Sequence, residues 1–410
     1  MRIAVIGSGI SGLGAAHFLS KKHKVDLFEK NDHFGGHSYT AEVSSDELNK
    51  KIYIDLGFIV FNKINYPNLV KLFDNLKVDY EKSDMSFSVS VKNSGIEYSG
   101  SGLQGLFANK YNILNLDFIK MIKEIFYFYK IADKIEKENF IDQTLGEFLK
   151  TKKMSSYFIK FHIIPMVAAI WSMPFAKARD MPLKFFLNFF INHGLFKLKN
   201  RPQWYTVTDR SRTYVKKVLE KISGEVFKNY KVNKINRSED NVRITIGDEY
   251  LDYDQVILAS HADQSLQMLE NATEDEQRIL SKFKYVSNTA ILHTDAKLMP
   301  KRKSAWSSWN SISKGNQTCV TYWLNNLQNL NCDDNFFLTL NPIYEINKMN
   351  TIKKINFTHP YFNSETSRLQ KSLNSLQGKK RTWYCGSYFG YGFHEDGLKS
   401  AINLIENFKI

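Results

Sequence analysis

Apolar residues open the chain in an unbroken run at positions 3–6, which is typical of a central strand in a parallel sheet. A glycine-rich segment occupies residues 7–12, and apolar residues then recur with helical spacing over residues 13–19. A second apolar run, residues 24–28, ends at Glu29. The order of strand, glycine loop, helix and strand predicts the first unit of a parallel α/β sheet.

Further along the chain the hydrophobic period changes several times. Residues 30–80 predict a loop, a strand and a helix, and residues 116–138 carry Lys and Glu on one helical face and Phe, Tyr and Ile on the other. The buried run at 254–259 predicts another parallel strand that returns to the first sheet. The other predicted elements are mostly helices over 144–200, short paired strands at 225–235, 242–246 and 250–253, strands and turns over 286–345, a strand at 381–386 and a helix from about 397 to 408.

The glycine loop carries the first candidate chemistry. Gly7 would make a tight turn, Gly9 would let the backbone approach a pyrophosphate, and Gly12 would let the helix lie close to the strand. Free N–H groups at the helix amino terminus, around Ser11, would face the phosphates. Glu29, which follows Gly7 by 22 residues, would accept hydrogen bonds from an adenosine ribose. The alternative is a glycine-rich turn without a ligand.

Longer motifs give the chain a resemblance to a known family. These motifs are Gly35-Gly36-His37 and residues 55–62, 85–90, 168–172, 201–204, 304–310 and 388–397. They resemble, over nearly the whole length, those of the bacterial FAD-binding, amine-oxidase-like (NAD(P)/FAD-dependent oxidoreductase) proteins associated with cyclopropane fatty acid synthases. Two departures are His33, where relatives usually carry Arg, and the neighbourhood of Asp209-Arg210, where they have a Gly-Gly pair.

This resemblance implies an α/β fold of the amine-oxidase-like flavoprotein type, in which a Rossmann-type FAD-binding domain is interleaved with an α+β substrate domain. The FAD-binding pieces would be residues 1–80, 205–283 and 376–410, and the substrate pieces would be residues 81–204 and 284–375.

The resemblance also implies a set of FAD-binding residues beyond the glycine loop. The second glycine pair and His37 would face the diphosphate and ribityl chain, and the turn that begins at Asp55 would border the flavin. A glycine-containing turn and a helix amino terminus near the carboxyl end would contact the ribityl arm and the flavin edge. These residues are Gly35, Gly36, His37, Asp55, Gly57, Phe58, Gly386, Ser387, Phe393, His394 and Gly397, with Val232 in a strand whose backbone meets the adenine.

Three residues are candidates for moving a proton. His293 and Tyr391 could each accept one, and the sequence does not choose between them. His394 could act through its side chain or through its backbone N–H at the helix start. The Asp396 side chain could simply cap that helix.

Residues 181–198 suggest the kind of substrate. Eight Phe, Leu and Ile residues lie between positions 185 and 196, and Lys184, Asn188 and Asn192 form one narrow polar stripe. The helix is therefore either core or rests on lipid or on an apolar substrate. Four tryptophans suggest an apolar cavity, and six basic residues would suit anionic headgroups. These are Trp171, Trp306, Trp309 and Trp323, and Lys177, Arg179, Lys184, Lys197, Lys199 and Arg201.

Composition and charge narrow the function classes. Among 410 residues, 56 are Lys or Arg and 42 are Asp or Glu, a net charge of +14 that suits a solvated surface or an anionic membrane. No basic-aromatic nucleic-acid module is present. The three cysteines form no CxxC pair, and neither a signal peptide nor a run of 18 apolar residues is found. We therefore expect a cytoplasmic protein, peripheral on the membrane or free of it, without bound metal.

These observations predict an FAD-dependent oxidoreductase that oxidises or desaturates a fatty acid or phospholipid. A flavin amine oxidase or carotenoid-type oxidoreductase is one alternative. Amine oxidases commonly place a Lys near the flavin on a strand that we assign to residues 288–293, and that stretch contains none. The other alternative is a flavin-bearing accessory subunit of a lipid methyltransferase.

Overall fold

A computed structural model describes residues 1–45, 50–137, 143–171, 173, 175–197, 200–315 and 317–408. Four features of the sequence prediction lie outside the described residues. These are the last residue of the helix predicted to end at 138, Ser172 of one resembling motif, Leu198 and Lys199.

The chain alternates helices and strands throughout. The strands are β1 (Arg2–Ile6), β2 (Lys24–Glu29), β3 (Thr40–Ser45), β4 (Lys50–Asp55), β5 (Phe61–Asn62), β6 (Tyr80–Ser83), β7 (Phe87–Val91), β8 (Glu97–Ser99), β9 (Trp204–Val207), β10 (Val226–Lys228), β11 (Lys234–Arg237), β12 (Val242–Ile246), β13 (Glu249–Tyr253), β14 (Gln255–Leu258), β15 (Lys284–His293), β16 (Trp309–Lys314), β17 (Gln317–Trp323), β18 (Phe337–Leu340), β19 (Thr351–Tyr361) and β20 (Thr382–Tyr384). The α-helices are α1 (Ile10–Leu19), α2 (Pro67–Leu76), α3 (Gly102–Leu106), α4 (Leu116–Lys137), α5 (Leu145–Thr151), α6 (Ser156–Phe158), α7 (Ile164–Trp171), α8 (Phe175–Arg179), α9 (Leu183–Asn192), α10 (Arg212–Leu219), α11 (Ala262–Met268), α12 (Glu274–Leu280), α13 (Leu324–Gln328), α14 (Ser364–Leu369) and α15 (His394–Asn407).

A parallel sheet joins the two ends of the chain. Its strands lie in the order β10-β2-β1-β14-β20, and β14 pairs with β1 in parallel. Helices α1 and α15 share one apolar cluster with β1, and a Cβ atom on Gly14 would stand 2.6 Å from a methyl group of Leu398. The predicted strands at 3–6, 24–28, 254–259 and 381–386 are confirmed, and so is the predicted Rossmann-type α/β arrangement.

A second sheet of seven strands carries the middle of the chain. Its order is β19-β15-β18-β17-β16-β7-β8, and helices α4 to α9 form a large apolar cluster beside β7 and β8. Three smaller sheets are also present: β5-β9-β6, β11-β12-β13 and the hairpin β3-β4. The hairpin was not predicted, since the pattern of residues 30–80 indicates a loop before a single strand there.

Several predicted boundaries are wrong. The last helix begins at His394 rather than near Gly397, because the carboxylate of Asp396 accepts the Phe393 N–H at 2.9 Å and caps an earlier start. Val232 lies between β10 and β11 instead of within a strand.

The strand that we assigned to residues 288–293 begins four residues earlier, at Lys284. It therefore contains a lysine, and the prediction of a lysine-free strand is wrong. The Lys284 side chain is exposed, at the end of the strand that pairs with Tyr361.

The departure at Asp209-Arg210 has a visible backbone consequence. Both residues lie in the left-handed region, with φ of 58° and 75°, a conformation that glycine adopts more readily. The Arg210 side chain is held in place, since its Nε donates to the Tyr53 carbonyl oxygen at 2.8 Å.

The aromatic helix is shorter and more enclosed than predicted. Helix α9 covers Leu183–Asn192, and Phe186 and Phe190 are fully buried in the cluster formed with α4 and α7. The interpretation in which this aromatic face rests on lipid is therefore wrong, because protein already covers it. Over the described ranges, no helix combines the length and apolarity needed to cross a bilayer.

Candidate functional site

The glycine loop between β1 and α1 leaves room at one position only. Gly7 has φ of 101°, and a Cβ atom there would stand 2.9 Å from the Ala259 carbonyl oxygen. A Cβ atom on Gly12 would overlap the carbonyl oxygen of Gly7, whereas one on Gly9 would meet nothing within 4 Å. The open side of Gly9 is thus the place where a phosphate could approach the amino terminus of α1.

Glu29 ends β2 beside this loop, and its carboxylate is fully engaged. One oxygen accepts the Ser8 N–H at 3.0 Å and the Ser8 hydroxyl at 2.6 Å. The other accepts the backbone N–H and the side-chain amide of Asn31 at 2.9 and 2.8 Å. A ribose hydroxyl would have to share or replace one of these four donors. Glu29 therefore shapes the loop in addition to any contact with a ligand.

The second glycine pair packs directly on the first loop. Gly35 and Gly36 have φ of 110° and 59°, and a Cβ atom on Gly36 would stand 3.0 Å from the Gly9 Cα. The Gly35 N–H donates to the Ser8 carbonyl oxygen at 3.1 Å. His33, the residue that departs from Arg, lies with its Nε2 3.3 Å from the Gly36 carbonyl oxygen.

The amino termini of α1 and α15 meet at this loop. A Cβ atom on Gly397 would stand 2.7 Å from Ser11 Oγ and 2.9 Å from a methyl group of Ile10. Ser400 ties the preceding turn to the helix, since its hydroxyl accepts the Gly386 N–H at 2.9 Å and donates to the Gly397 carbonyl oxygen at 2.7 Å. Two helix amino termini therefore present positive partial charge to one small region.

The turn before α15 is held by its own backbone. The Ser387 carbonyl oxygen accepts from the Gly390 and Gly392 N–H groups at 3.1 and 3.2 Å. Phe393 occupies the position just before the helix, and the Asp396 carboxylate accepts its backbone N–H. Burial raises the pKa of Asp396 to about 6. Asp396 thus caps the helix, as the sequence allowed.

The His394 side chain points inward. Its ring stacks on Phe58 with centroids 3.8 Å apart, and its Nε2 lies 2.9 Å from Ser38 Oγ and 3.2 Å from the Tyr214 hydroxyl. Burial holds the pKa of His394 well below its usual range, so the imidazole is neutral. The structure brings His394 and Phe58 together, as two of the predicted site residues.

His37 lies in a group of partly buried histidines. Its Nε2 has no hydrogen-bond partner among the described residues, and its ring lies 5.1 Å from both Phe357 and His359. Burial lowers the pKa of His37 to about 4, and the pKa values of His261 and His359 to about 3. An unpartnered nitrogen in this position is a natural donor or acceptor for a bound ligand.

The turn that begins at Asp55 packs against His37. The Phe58 N–H donates to the His37 carbonyl oxygen at 2.7 Å, and a Cβ atom on Gly57 would overlap that oxygen. The Asp55 carboxylate accepts hydroxyls of Thr40 and Ser211 at 2.6 and 2.7 Å, while burial raises its pKa to about 6. Asp55 therefore fastens the turn rather than facing a ligand.

Val232 lies near the end of β2, whereas His293 lies far from the other site residues. Val232 is buried two residues after Tyr230, whose N–H donates to the Glu29 carbonyl oxygen at 2.8 Å. His293 is buried with Nε2 2.8 Å from Thr339 Oγ1, seven positions along β15 from Val286, which pairs with the site's His359. Seven strand residues span about 23 Å, so the structure does not bring His293 to the other site residues.

Tyr391 stands where the carboxyl-terminal turn meets the aromatic cluster. Its ring lies 4.7 Å from Phe185, and its carbonyl oxygen accepts the Trp171 indole N–H at 3.2 Å. Phe189 lies 4.7 Å from Trp171 and 4.8 Å from Phe393. The other three tryptophans predicted to line the cavity lie apart from this cluster: Trp306 packs on Trp323 and Trp309 packs on Tyr322.

Four residues of the site were missed from the sequence. His261 follows β14 and His359 lies within β19, with no motif around either. Ser38 and Tyr214 become partners of His394 only through long-range packing. Their sequence separation from His394 leaves no local spacing that would have indicated them.

Comparisons with known proteins agree with this architecture. The profile of the NAD(P)-binding Rossmann-like domain matches residues 5–76. No curated protein sequence matches the chain significantly. The fold is that of the amine-oxidase-like flavoproteins, a mixed α/β class with a Rossmann-like domain.

Three solved structures illustrate the likeness. The CLA-producing fatty acid isomerase from P. acnes has a TM-score of 0.68 at 14% identity, covering 100% of this chain and 99% of its own. Putrescine oxidase bound to putrescine has a TM-score of 0.69 at 13% identity, with 99% of both chains covered. Cyclohexylamine oxidase from Brevibacterium oxydans IH-35A has a TM-score of 0.66 at 12% identity, also with 99% of both covered.

Proposed function

We propose that this chain is an FAD-dependent oxidoreductase that holds FAD non-covalently and oxidises an apolar acyl chain. The observation that carries the proposal is the meeting of α1 and α15 at the open side of Gly9. A dinucleotide with a diphosphate at its middle needs such a point, where backbone approach is free and helix dipoles favour negative charge.

Other residues fit the same cofactor. The unpartnered Nε2 of His37 lies one residue beyond Gly36, which packs on Gly9. Bound FAD would supply an acceptor for two electrons and a proton from a substrate C–H bond. The amino terminus of α15 favours negative charge beside it, and Phe58 and His394 form a flat aromatic wall nearby.

Positioning is the main task of the residues around the cofactor. His394 is neutral and held by Ser38 and Tyr214, and its lowered pKa makes it a weak proton acceptor near neutral pH. His293 lies far along β15, so of the three candidates we favour Tyr391 for contact with substrate. Its ring is where the cluster of α9 reaches the turn before α15.

Aromatic surroundings support an acyl substrate. Phe185, Phe189 and Phe393 surround the turn, whereas the neighbouring Glu395 is engaged by backbone N–H groups of α2, among them the Leu69 N–H at 3.1 Å. One structure with the same fold belongs to a fatty acid isomerase. The sequence resemblance to synthase-associated proteins supports the same class and a lipid methyltransferase as partner. The net charge of +14 supports work at an anionic membrane surface.

Anaerobic titration of the purified protein tests the substrate class. Oleate or phospholipid micelles should bleach the visible flavin absorbance, and stearate should do so more slowly because it lacks allylic C–H bonds. Bleaching by putrescine alone would make the chain an amine oxidase. A flavin that stays oxidised with every addition would favour the accessory-subunit alternative.

A further inference from the structure

One surface segment buries polar side chains and exposes apolar ones. Between α3 and α4, Asn109 and Asn112 are buried while Leu114 is 81% exposed, and Leu116 at the start of α4 is 84% exposed. The Asn109 side chain is anchored inward, since its amide donates to the Gly95 carbonyl oxygen at 2.6 Å. Because the asparagine side chains are buried and the leucine side chains are exposed, this segment presents an anchored apolar surface to solvent.

The surrounding residues extend this surface. We define the apolar patch as Leu103, Tyr111, Ile113, Leu114 and Leu116, all exposed and within 14 residues of chain. Singly exposed apolar side chains are ordinary, but five within so short a stretch of chain are typical of an interaction site.

Positive charge flanks the apolar patch. Lys110 lies within the segment, and Lys120 and Lys123 follow on the exposed face of α4, with Asp117 as an acidic neighbour. Residues spaced by three and four continue this face along the helix: Leu116, Lys120, Lys123, Tyr127, Lys130 and Lys134. An apolar tip bordered by lysines and tyrosines matches the interface of an anionic bilayer.

We propose that the apolar patch inserts into an anionic lipid surface, with the lysines of α4 on the headgroups. Lysine is depleted in protein–protein interfaces, which favours lipid over a protein partner. The opposite side of α4 packs on the aromatic cluster, where the Phe128 ring lies 5.5 Å from Phe196 and 6.4 Å from Phe186. Lipid on the outer side of α4 would therefore lie close to the cluster that reaches Tyr391.

Sedimentation with vesicles of phosphatidylcholine containing about 30% phosphatidylglycerol tests the patch. The double variant Leu114→Ser/Leu116→Ser should bind about tenfold or more weakly, because two leucines no longer leave water. Met349→Ser is the matched control, since Met349 is 93% exposed elsewhere and should bind as the unaltered protein does. Equal binding by the double variant and the control would overturn the proposal.

Charge variants decide the headgroup contribution and guard against misfolding. Lys120→Glu/Lys123→Glu should lose binding, whereas Lys21→Glu/Lys22→Glu makes the same charge change at exposed residues after α1 and should lose less. Binding should also weaken as salt rises. Circular dichroism and flavin content check each fold, and the lysine pair decides the question if the leucine pair misfolds. Equal losses in both lysine pairs would contradict a localised surface.

A second copy of the chain is the alternative partner for the apolar patch. If sedimentation velocity shows a dimer that Leu114→Ser/Leu116→Ser converts to a monomer, a second copy of the chain covers the patch and the lipid proposal is wrong. The inference rests on the proposed acyl substrate only for its motive. Vesicle binding needs no turnover, so it can fail while flavin bleaching by oleate succeeds, and the reverse.

Discussion

Gly9 is the residue at which ligand binding and folding separate most cleanly. The position has extended backbone, with φ of −62° and ψ of 176°, and a Cβ atom there would meet nothing within 4 Å. Gly9→Val should therefore fold and yet lose FAD, because the branched side chain would occupy the approach to the amino terminus of α1. Flavin content per folded chain, with folding followed by circular dichroism, measures both effects.

Gly100→Val is the matched control for this variant. Gly100 also has open space around its Cβ position, and it lies in the turn after β8, away from the glycine loop. It should keep full flavin content. Normal flavin content in Gly9→Val would place the cofactor elsewhere.

At the scale of elements, the contact between α1 and α15 decides the shape of the cofactor site. Gly397→Ala would place a Cβ atom 2.7 Å from Ser11 Oγ and 2.9 Å from a methyl group of Ile10, so these side chains at the start of α1 would have to shift. We expect FAD affinity to fall about tenfold or more, which corresponds to about 1.4 kcal/mol. Fluorescence titration of the apoprotein measures this, and Asn403→Ala, exposed on the same helix, should keep its affinity. Unchanged affinity in Gly397→Ala would contradict the helix contact.

Helix α9 gives the second prediction at this scale. Phe186 is fully buried, with its ring 4.3 Å from Phe190 and 5.8 Å from Phe196. Phe186→Ala should lower the free energy of unfolding by about 3–5 kcal/mol in urea denaturation. Lys184→Ala, on the exposed face, should change it by less than about 0.5 kcal/mol. A stable Phe186→Ala that loses vesicle binding would return α9 to the lipid surface.

Elements with a local signal were predictable, and elements set by distant contacts were not. The unit from β1 to Glu29 follows from hydrophobic period and glycine spacing, and the structure confirms it. The start of α15 was missed because Gly397 looks like a helix boundary. A glycine stands at this position because Ser11 approaches it closely. His359 reaches the site through strand register, which a single sequence does not show.

At the scale of the whole molecule, histidines with lowered pKa values couple stability to pH. Nine have a lowered pKa, and for six of them the value is about 4 or about 3 against an ordinary 6.5: His37, His193 and His293 at about 4, and His162, His261 and His359 at about 3. The other three are His17, His23 and His394. Below about pH 6.5 the unfolded chain therefore binds more protons than the folded chain, and stability is lost as pH falls.

Three buried carboxyls act in the opposite direction. Asp55 and Asp396 have pKa values raised to about 6, and burial raises the pKa of Glu395 as well, so the folded state takes up their protons first and gains stability as pH falls toward 4. Nine histidines outnumber three carboxyls, and the urea midpoint of the apoprotein should be lower at pH 4.5 than at pH 6.5. The decrease should persist in added salt, which screens surface repulsion but not buried groups. A midpoint that rises at pH 4.5 would contradict this balance.

Acid release of the cofactor tests the central claim most directly. Cys385, the cysteine nearest the carboxyl-terminal turn, is buried in the core of the first sheet with its thiol pKa raised, which leaves it unsuited to a covalent flavin bond. Acid precipitation of the purified protein, followed by mass spectrometry of the supernatant, should find about one FAD per chain and a colourless pellet. Colour retained in the pellet, or a nicotinamide dinucleotide in place of FAD, would contradict a non-covalent FAD site formed by the two ends of the chain.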